Sequence, residues 1–130
     1  ECELSRGLGD VYKRQDIGVD GIVVSNHGGR QFDGNPASIS ALPSIRQAVG
    51  PKYPLVFDSG IRSGLDILRA LALGADFVLV GRPFLYGLAA IGTHGGEHVA
   101  QILEEEIINA LLQIGAKNIP ELRQRLDLKN

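Results

Sequence analysis

An imidazole and a guanidinium stand three residues apart in Ser25-Asn26-His27-Gly28-Gly29-Arg30-Gln31, with two glycines between them that let the backbone turn tightly. An imidazole, with a reference pKa of about 6.5, takes a proton near neutral pH. An arginine offers a planar fork matched to a carboxylate. Together His27 and Arg30 suit proton removal from an acid held by its carboxylate. The structural alternative is that His27 caps a helix and Arg30 pairs with a surface acid.

A second kind of chemistry lies in Asp58-Ser59-Gly60-Ile61-Arg62-Ser63-Gly64 and in Gly81-Arg82-Pro83. Each loop pairs an arginine with glycines whose bare N–H groups can approach an anion, so Arg62 and Arg82 together suit a phosphate cradle. Taken singly, each is equally an exposed surface charge. His94 and His98 are four residues apart with only Glu97 beside them, too few ligands for a metal site, so solvation is expected. Glu104, Glu105 and Glu106 are expected on a solvated helix face.

Three strands, each running into one of these loops, must position the groups. Residues 19–24, 55–57 and 77–80 are short, β-branched or apolar runs bounded by polar and glycine-rich segments. Between and after them, residues 38–49, 65–73 and 97–114 carry helical apolar spacing, closed by Gly50, Gly74 and Gly115. A last short helix begins near Asn118, where Asn118 and Glu121 have capping-box spacing. Strand and helix in alternation, with continuously apolar strands, predict parallel βαβ units. Doubly wound sheets and β/α barrels share that pattern. Polar loops at the carboxyl end of every strand favour the barrel, and neither G-x-G-x-x-G nor the P-loop pattern follows a strand. The expected fold is therefore the carboxyl-terminal part, about three β/α units, of a TIM (β/α)8 barrel, whose full length is about 250 residues.

Composition bounds the rest. The 130 residues are 44% hydrophobic and 22% charged, which argues for a packed, soluble chain rather than a disordered one. A net charge of −2 without a basic block gives nucleic acid or anionic lipid no electrostatic purchase. The single cysteine, Cys2, forms no intrachain disulfide, consistent with a reducing, cytosolic setting. The absence of methionine and the start at Glu1 lead us to expect a fragment. Residues 1–15 have no apolar period and resemble translated sequencing-adapter read-through, so they are expected to be a non-native leader before a native portion, 16–130; a frayed natural terminus is the alternative.

At the three strand-end motifs the chain resembles the FMN-dependent α-hydroxy-acid dehydrogenases and oxidases, a family that includes lactate dehydrogenases and lactate and glycolate oxidases. Ser-Asn-His-Gly-Gly-Arg-Gln is similar to the family's active-site motif; the other two motifs resemble its flavin-phosphate segments in order and spacing. The resemblance implies FMN as cofactor and His27 as the catalytic base in contact with substrate, with Arg30 anchoring the substrate carboxylate. It implies that Asp58, Ser59, Gly60, Ile61, Arg62, Gly81 and Arg82 bind the cofactor, Arg62 and Arg82 with Gly60 and Gly81 at its phosphate. Asp58 either takes a ribityl hydroxyl or a loop N–H, or only forms the turn. The implied reaction is oxidation of an L-2-hydroxy acid, lactate-like, to the 2-oxo acid. The proton leaves from Cα or from the hydroxyl, and the electrons go on to oxygen, a quinone or a cytochrome. A homo-oligomer is implied for the full-length parent, in the cytoplasm or at the cytoplasmic face of a membrane.

The family's second substrate arginine, substrate tyrosines and flavin-contacting lysine belong to earlier strands and are absent here; Lys13 lacks matching surroundings. Two other readings therefore stand: a different phosphate-binding barrel enzyme, which has no need of His27 with Arg30, or an inactive fragment lacking half of the site. Three strands alone would also leave an unpaired sheet edge and an uncovered apolar face.

Overall fold

The computed structural model describes residue 11, residue 16 and residues 18–125. Apart from Val11, the expected leader lies outside the described residues. Three short strands, β1 (Ile22–Val24), β2 (Leu55–Phe57) and β3 (Phe77–Val78), form one parallel sheet in the order β1-β2-β3. Val23 lies opposite Val56, and Val56 opposite Phe77. Helices α1 (Ser38–Val49) and α2 (Gly64–Ala72) connect the strands; α3 (Arg82–Ile91), α4 (Gly95–Ile114) and α5 (Ile119–Arg125) follow. The molecule is a small α/β unit.

Alternation along the strands decides which face is packed. Ile22, Val24, Leu55 and Phe57 point to one side, where Leu42, Ile61, Ala70 and Ala75 complete a buried cluster that also takes in Val11. Phe57, Leu42 and Leu55 are fully buried, roughly 2–3 kcal/mol of transfer free energy each. A second cluster of Leu68, Ala72, Ala116 and Leu122 lies between α2, α4 and α5. The opposite face of the sheet is open: Val23 is 51% exposed, Phe77 66% and Leu79 50%. The uncovered apolar face expected of a three-strand piece is thus present.

The amino end of the sheet is closed by one carboxylate. Asp76 accepts from Arg46 at 2.6 Å and from the Leu55 amide at 3.0 Å, with Arg123 at 3.6 Å. Arg46 also donates to the carbonyls of Gly50, Tyr53 and Gly74, so its guanidinium ties α1 to the loops before β2 and β3. Burial acts to raise the Asp76 carboxyl, but the Leu55 amide and the two guanidiniums outweigh it and hold the carboxyl below its ordinary value.

Several expected boundaries move. β1 begins at Ile22 rather than at residue 19, because Gly21 lies hard against Pro54 and the first ladder bond runs from the Ile22 amide to the Pro54 carbonyl. β3 ends at Val78, although the Leu79 amide still donates to Phe57. α2 begins at Gly64 behind a capping box of Ser63 and Asp66. The segment after Gly81 is the main correction: residues 82–91 are helical, with Pro83 tolerated in the first turn, and the long helix starts at Gly95 instead of residue 97. These two helices pack backbone to backbone at Gly87 and Gly95, where an added Cβ would strike the other glycine's carbonyl. Glu104, Glu105 and Glu106 are exposed on α4 as expected, and the Glu106 carboxylate in addition accepts the Gly64 amide at 2.6 Å at the start of α2. Asn118 accepts the Glu121 amide, but the Glu121 carboxylate takes the Lys117 amide, one residue before the expected partner.

Candidate functional site

All three strands deliver their loops to the same end of the sheet. Past β1 the chain turns through a 3₁₀ turn, His27–Gly29, in which His27, Gly28 and Gly29 have φ of 59°, 65° and 76°. Glycine adopts this left-handed region freely; for a histidine it costs roughly 1 kcal/mol, so neighbouring bonds must hold it. Those bonds come from hydroxyls. The Ser25 hydroxyl accepts the His27 amide at 3.0 Å, and the Ser59 hydroxyl accepts the amides of Asn26 at 3.2 Å and Gly28 at 3.0 Å. Asn26 caps the turn through its side-chain oxygen on the Gly29 amide.

Past β2, Asp58 continues the ladder by donating its amide to Val24, and its carbonyl accepts the buried Ser38 hydroxyl at 3.1 Å. Its carboxylate takes the Ser25 hydroxyl at 2.8 Å on one oxygen and the Ser59 amide at 2.7 Å on the other. Asp58 therefore holds a loop N–H, one of the roles open to it, and joins the first two loops. Ser59 itself has φ of 92° and Gly60 of 80°. Past β3, Arg82 opens α3 and reaches back to donate to the Gly28 carbonyl at 2.6 Å. The Arg62 guanidinium lies 5.8 Å from the centroid of the Tyr86 ring on α3.

His27, Arg30, Arg62 and Arg82, together with Asp58 through Ile61 and Gly81, line a single open cleft of about 170 Å3. The structure thus brings together every residue singled out for catalysis or binding. Positions 60 and 81 face open space, with no heavy atom within 4 Å of where a Cβ would stand. Among the described residues no carboxylate pairs with Arg30, Arg62 or Arg82, and the one acid in the cleft is engaged by Ser25 and Ser59. Three guanidiniums and an imidazole around open glycines make a place for an organic anion. A larger cavity of about 520 Å3 lies against the same loops and shares Gly28, Ser59, Gly60, Ile61 and Arg82 with the cleft.

His94 lies in a 3₁₀ turn and His98 in the first turn of α4, away from this cleft; among the described residues no group of three metal-ligating side chains occurs. Two features of the site escape sequence reading. Ser25 stands out only as part of a motif, and the first turn of α3 was expected to be a loop, although proline directly after Gly81-Arg82 is the signal of a helix start.

A family model described as FMN-dependent dehydrogenase matches residues 8–128. The chain is 53% identical over 122 residues to an L-lactate dehydrogenase of Pseudomonas putida, covering 92% of this chain and 32% of that protein. It is 49% identical over 113 residues to an L-lactate oxidase of Alicycliphilus denitrificans, covering 87% of this chain and 31% of that protein. Among solved structures, a lactate oxidase of Pediococcus acidilactici superposes with a TM-score of 0.84 at 44% identity, over 90% of this chain and 33% of that one. A mandelate oxidase solved with benzoyl-formic acid gives 0.83 at 44% identity, over 90% and 35%. The chain spans about a third of the length of these relatives.

Proposed function

The chain belongs to the FMN-dependent dehydrogenase family, and from that premise we propose that the whole protein oxidises an L-2-hydroxy acid of the lactate kind to its 2-oxo acid. In this reading the 130 residues are the carboxyl-terminal units of a β/α barrel, and the strand-end cleft is part of its active site. The observation that carries the proposal is the convergence of His27, Arg30, Arg62 and Arg82 on one cleft, where no described carboxylate forms an ion pair with any of the three arginines.

The cleft suits FMN by its donor set. Arg62 and Arg82 would hold the phosphate, with Gly60 and Gly81 leaving the open backbone such a group needs, and Asp58, Ser59 and Ile61 belonging to the same segment. When bound, FMN supplies the two-electron sink. Arg30 presents its planar fork to the substrate carboxylate and so fixes which side of the hydroxy acid faces His27. His27 takes up the proton that the substrate releases on oxidation. His27 is carried on the left-handed turn that lines the cleft, while Asp58, held by the Ser25 hydroxyl on one oxygen and the Ser59 amide on the other, ties that turn to the second loop. Oxygen, a quinone or a cytochrome then takes the electrons. The 130 residues alone, a third of the relatives' length, are inactive in this reading.

The test uses the full-length protein. It should purify with bound flavin that L-lactate reduces, and His27→Gln should keep the flavin while losing roughly 10²–10⁴-fold in turnover. Colourless protein that lactate does not reduce refutes the proposal. Retained turnover in His27→Gln with FMN bound would favour a different phosphate-binding barrel activity.

A further inference from the structure

We propose that Ser59 is a positioning residue for His27, its hydroxyl serving the loop that carries the imidazole rather than the cofactor. The inference rests on the reading of His27 as the base and adds to it the device that aims the base.

His27 and Ser59 are the two non-glycine residues with positive φ among those described, at 59° and 92°. Each is strained by roughly 1 kcal/mol, and such strain persists only where the surroundings over-determine the conformation. Here each supports the other. Ser59 Oγ receives the amides on both sides of His27, from Asn26 and Gly28, and Ser25 Oγ receives the amide of His27 itself. Consecutive amides in this conformation form a concave nest that ordinarily receives an anion. The Ser59 hydroxyl fills it, 3.3 Å from that of Ser25, and Asp58 anchors both serines through one carboxylate.

The choice of residue at this place supports the role. Gly60, next in the chain, also has a left-handed φ, and its Cβ position faces open space. If position 59 served only the turn, glycine would adopt φ of 92° without strain. A serine retains the strain and adds two hydrogen bonds across 31 and 33 residues of sequence. Both acceptor positions of that hydroxyl are used by amides, which leaves one O–H donor and little capacity to bind a cofactor. Without Ser59 the peptide units flanking His27 lose their partners, and the imidazole loses its fixed direction.

The experiment compares Ser59→Ala, which keeps the strain and loses the bonds, with Ser59→Gly, which loses both, in the full-length protein. Three readouts are needed: the Cε1–H resonance of His27 in flavin-free protein, assigned with His27→Gln; FMN affinity; and kcat and KM for L-lactate. Expected in both variants are a shifted or broadened His27 resonance, a kcat lower by roughly ten- to a hundredfold, and KM and FMN affinity within about threefold of the parent. If one variant does not fold, the other carries the test, with Ser25→Ala as a further one that frees the His27 amide and should move the same resonance. An unmoved His27 resonance overturns the proposal, whether activity is kept or falls in step with FMN affinity; the latter result would make Ser59 a cofactor ligand. Should the full-length protein oxidise no hydroxy acid, the reading of the site fails separately, and the flavin-free resonance still decides the role of Ser59.

Discussion

Arg82 donates through Nη2 to the Gly28 carbonyl at 2.6 Å, so that the first residue of α3 clamps the loop carrying His27. The bond spans 54 residues of sequence and joins the third strand-end loop to the first. With the Ser25, Asp58 and Ser59 network it makes the three loops one unit. An arginine proposed for the cofactor phosphate therefore also touches the backbone of the proposed catalytic turn.

That double engagement separates two substitutions. Arg82→Lys keeps the charge and removes the fork, so FMN affinity of the full-length protein should fall by roughly tenfold with the fold retained. Gly28→Ala should cost about 1–2 kcal/mol of stability, because its φ is left-handed and the new methyl would meet the Arg82 guanidinium. Flavin-fluorescence titration and urea unfolding measure the two effects. Equal FMN affinity in Arg82→Lys would show that the fork is not used.

At the other end of the sheet, Asp76 should govern acid stability. Its carboxyl is held below its ordinary value in the folded chain, so its contribution is complete above the unfolded value of about 4 and is lost as pH falls through the lowered folded value. Asp76→Asn should destabilise by about 2 kcal/mol at neutral pH, since the Leu55 amide and two guanidiniums lose a charged acceptor. The gap between parent and variant should close on acidification. Urea midpoints from pH 7 downward give the comparison, and a gap independent of pH would contradict it.

The α3–α4 crossing yields a matched pair of glycine substitutions. At Gly95 an added methyl would strike the Gly87 carbonyl, and neither backbone can step aside, so Gly95→Ala should cost about 3 kcal/mol. Gly96, the next residue, meets nothing within 4 Å, and Gly96→Ala should stabilise by a few tenths to about 1 kcal/mol through helix propensity. Thermal unfolding of the two variants tests the sign of each.

That same crossing explains what the residues reveal on inspection and what they hide. β2 and parts of the runs at 19–24 and 77–80 are legible because short apolar runs bounded by polar, proline or glycine residues have few other uses, whereas the start of the first run and the end of the second fall outside the strands. α3 is not legible. Its apolar residues Phe84, Leu88 and Ile91 do recur at helical spacing, but Leu88 and Ile91 are exposed with Leu85 and Tyr86 while the contact with α4 runs through Gly87, so the stripe does not mark the face that packs. The site residues are legible by type, since His27, Arg30, Arg62 and Arg82 all follow strands. Their cross-links are not. Glu106 reaching Gly64 over 42 residues, or Ser59 reaching Gly28 over 31, depends on how the loops meet in space, which no local spacing encodes.

The open sheet face carries the last prediction. Val23, Val56 and Phe77 form one row across the strands, and Leu79 continues it on the same side of β3. The half-exposed or more exposed members, Val23, Phe77 and Leu79, present apolar surface beside strand edges with unpaired backbone groups among the described residues. In the proposed barrel these side chains point to the interior, where the other strands cover them. The 130-residue chain alone should therefore associate with increasing concentration and enhance the fluorescence of an apolar dye. Phe77→Lys combined with Val23→Thr should reduce both effects in the isolated chain. In the full-length protein the same pair should be strongly destabilising, about 3 kcal/mol or more, because a charge then enters a packed interior. Opposite signs in the two settings would identify the face as interior; a harmless pair in the full-length protein would place it at the surface and remove the barrel from the reading.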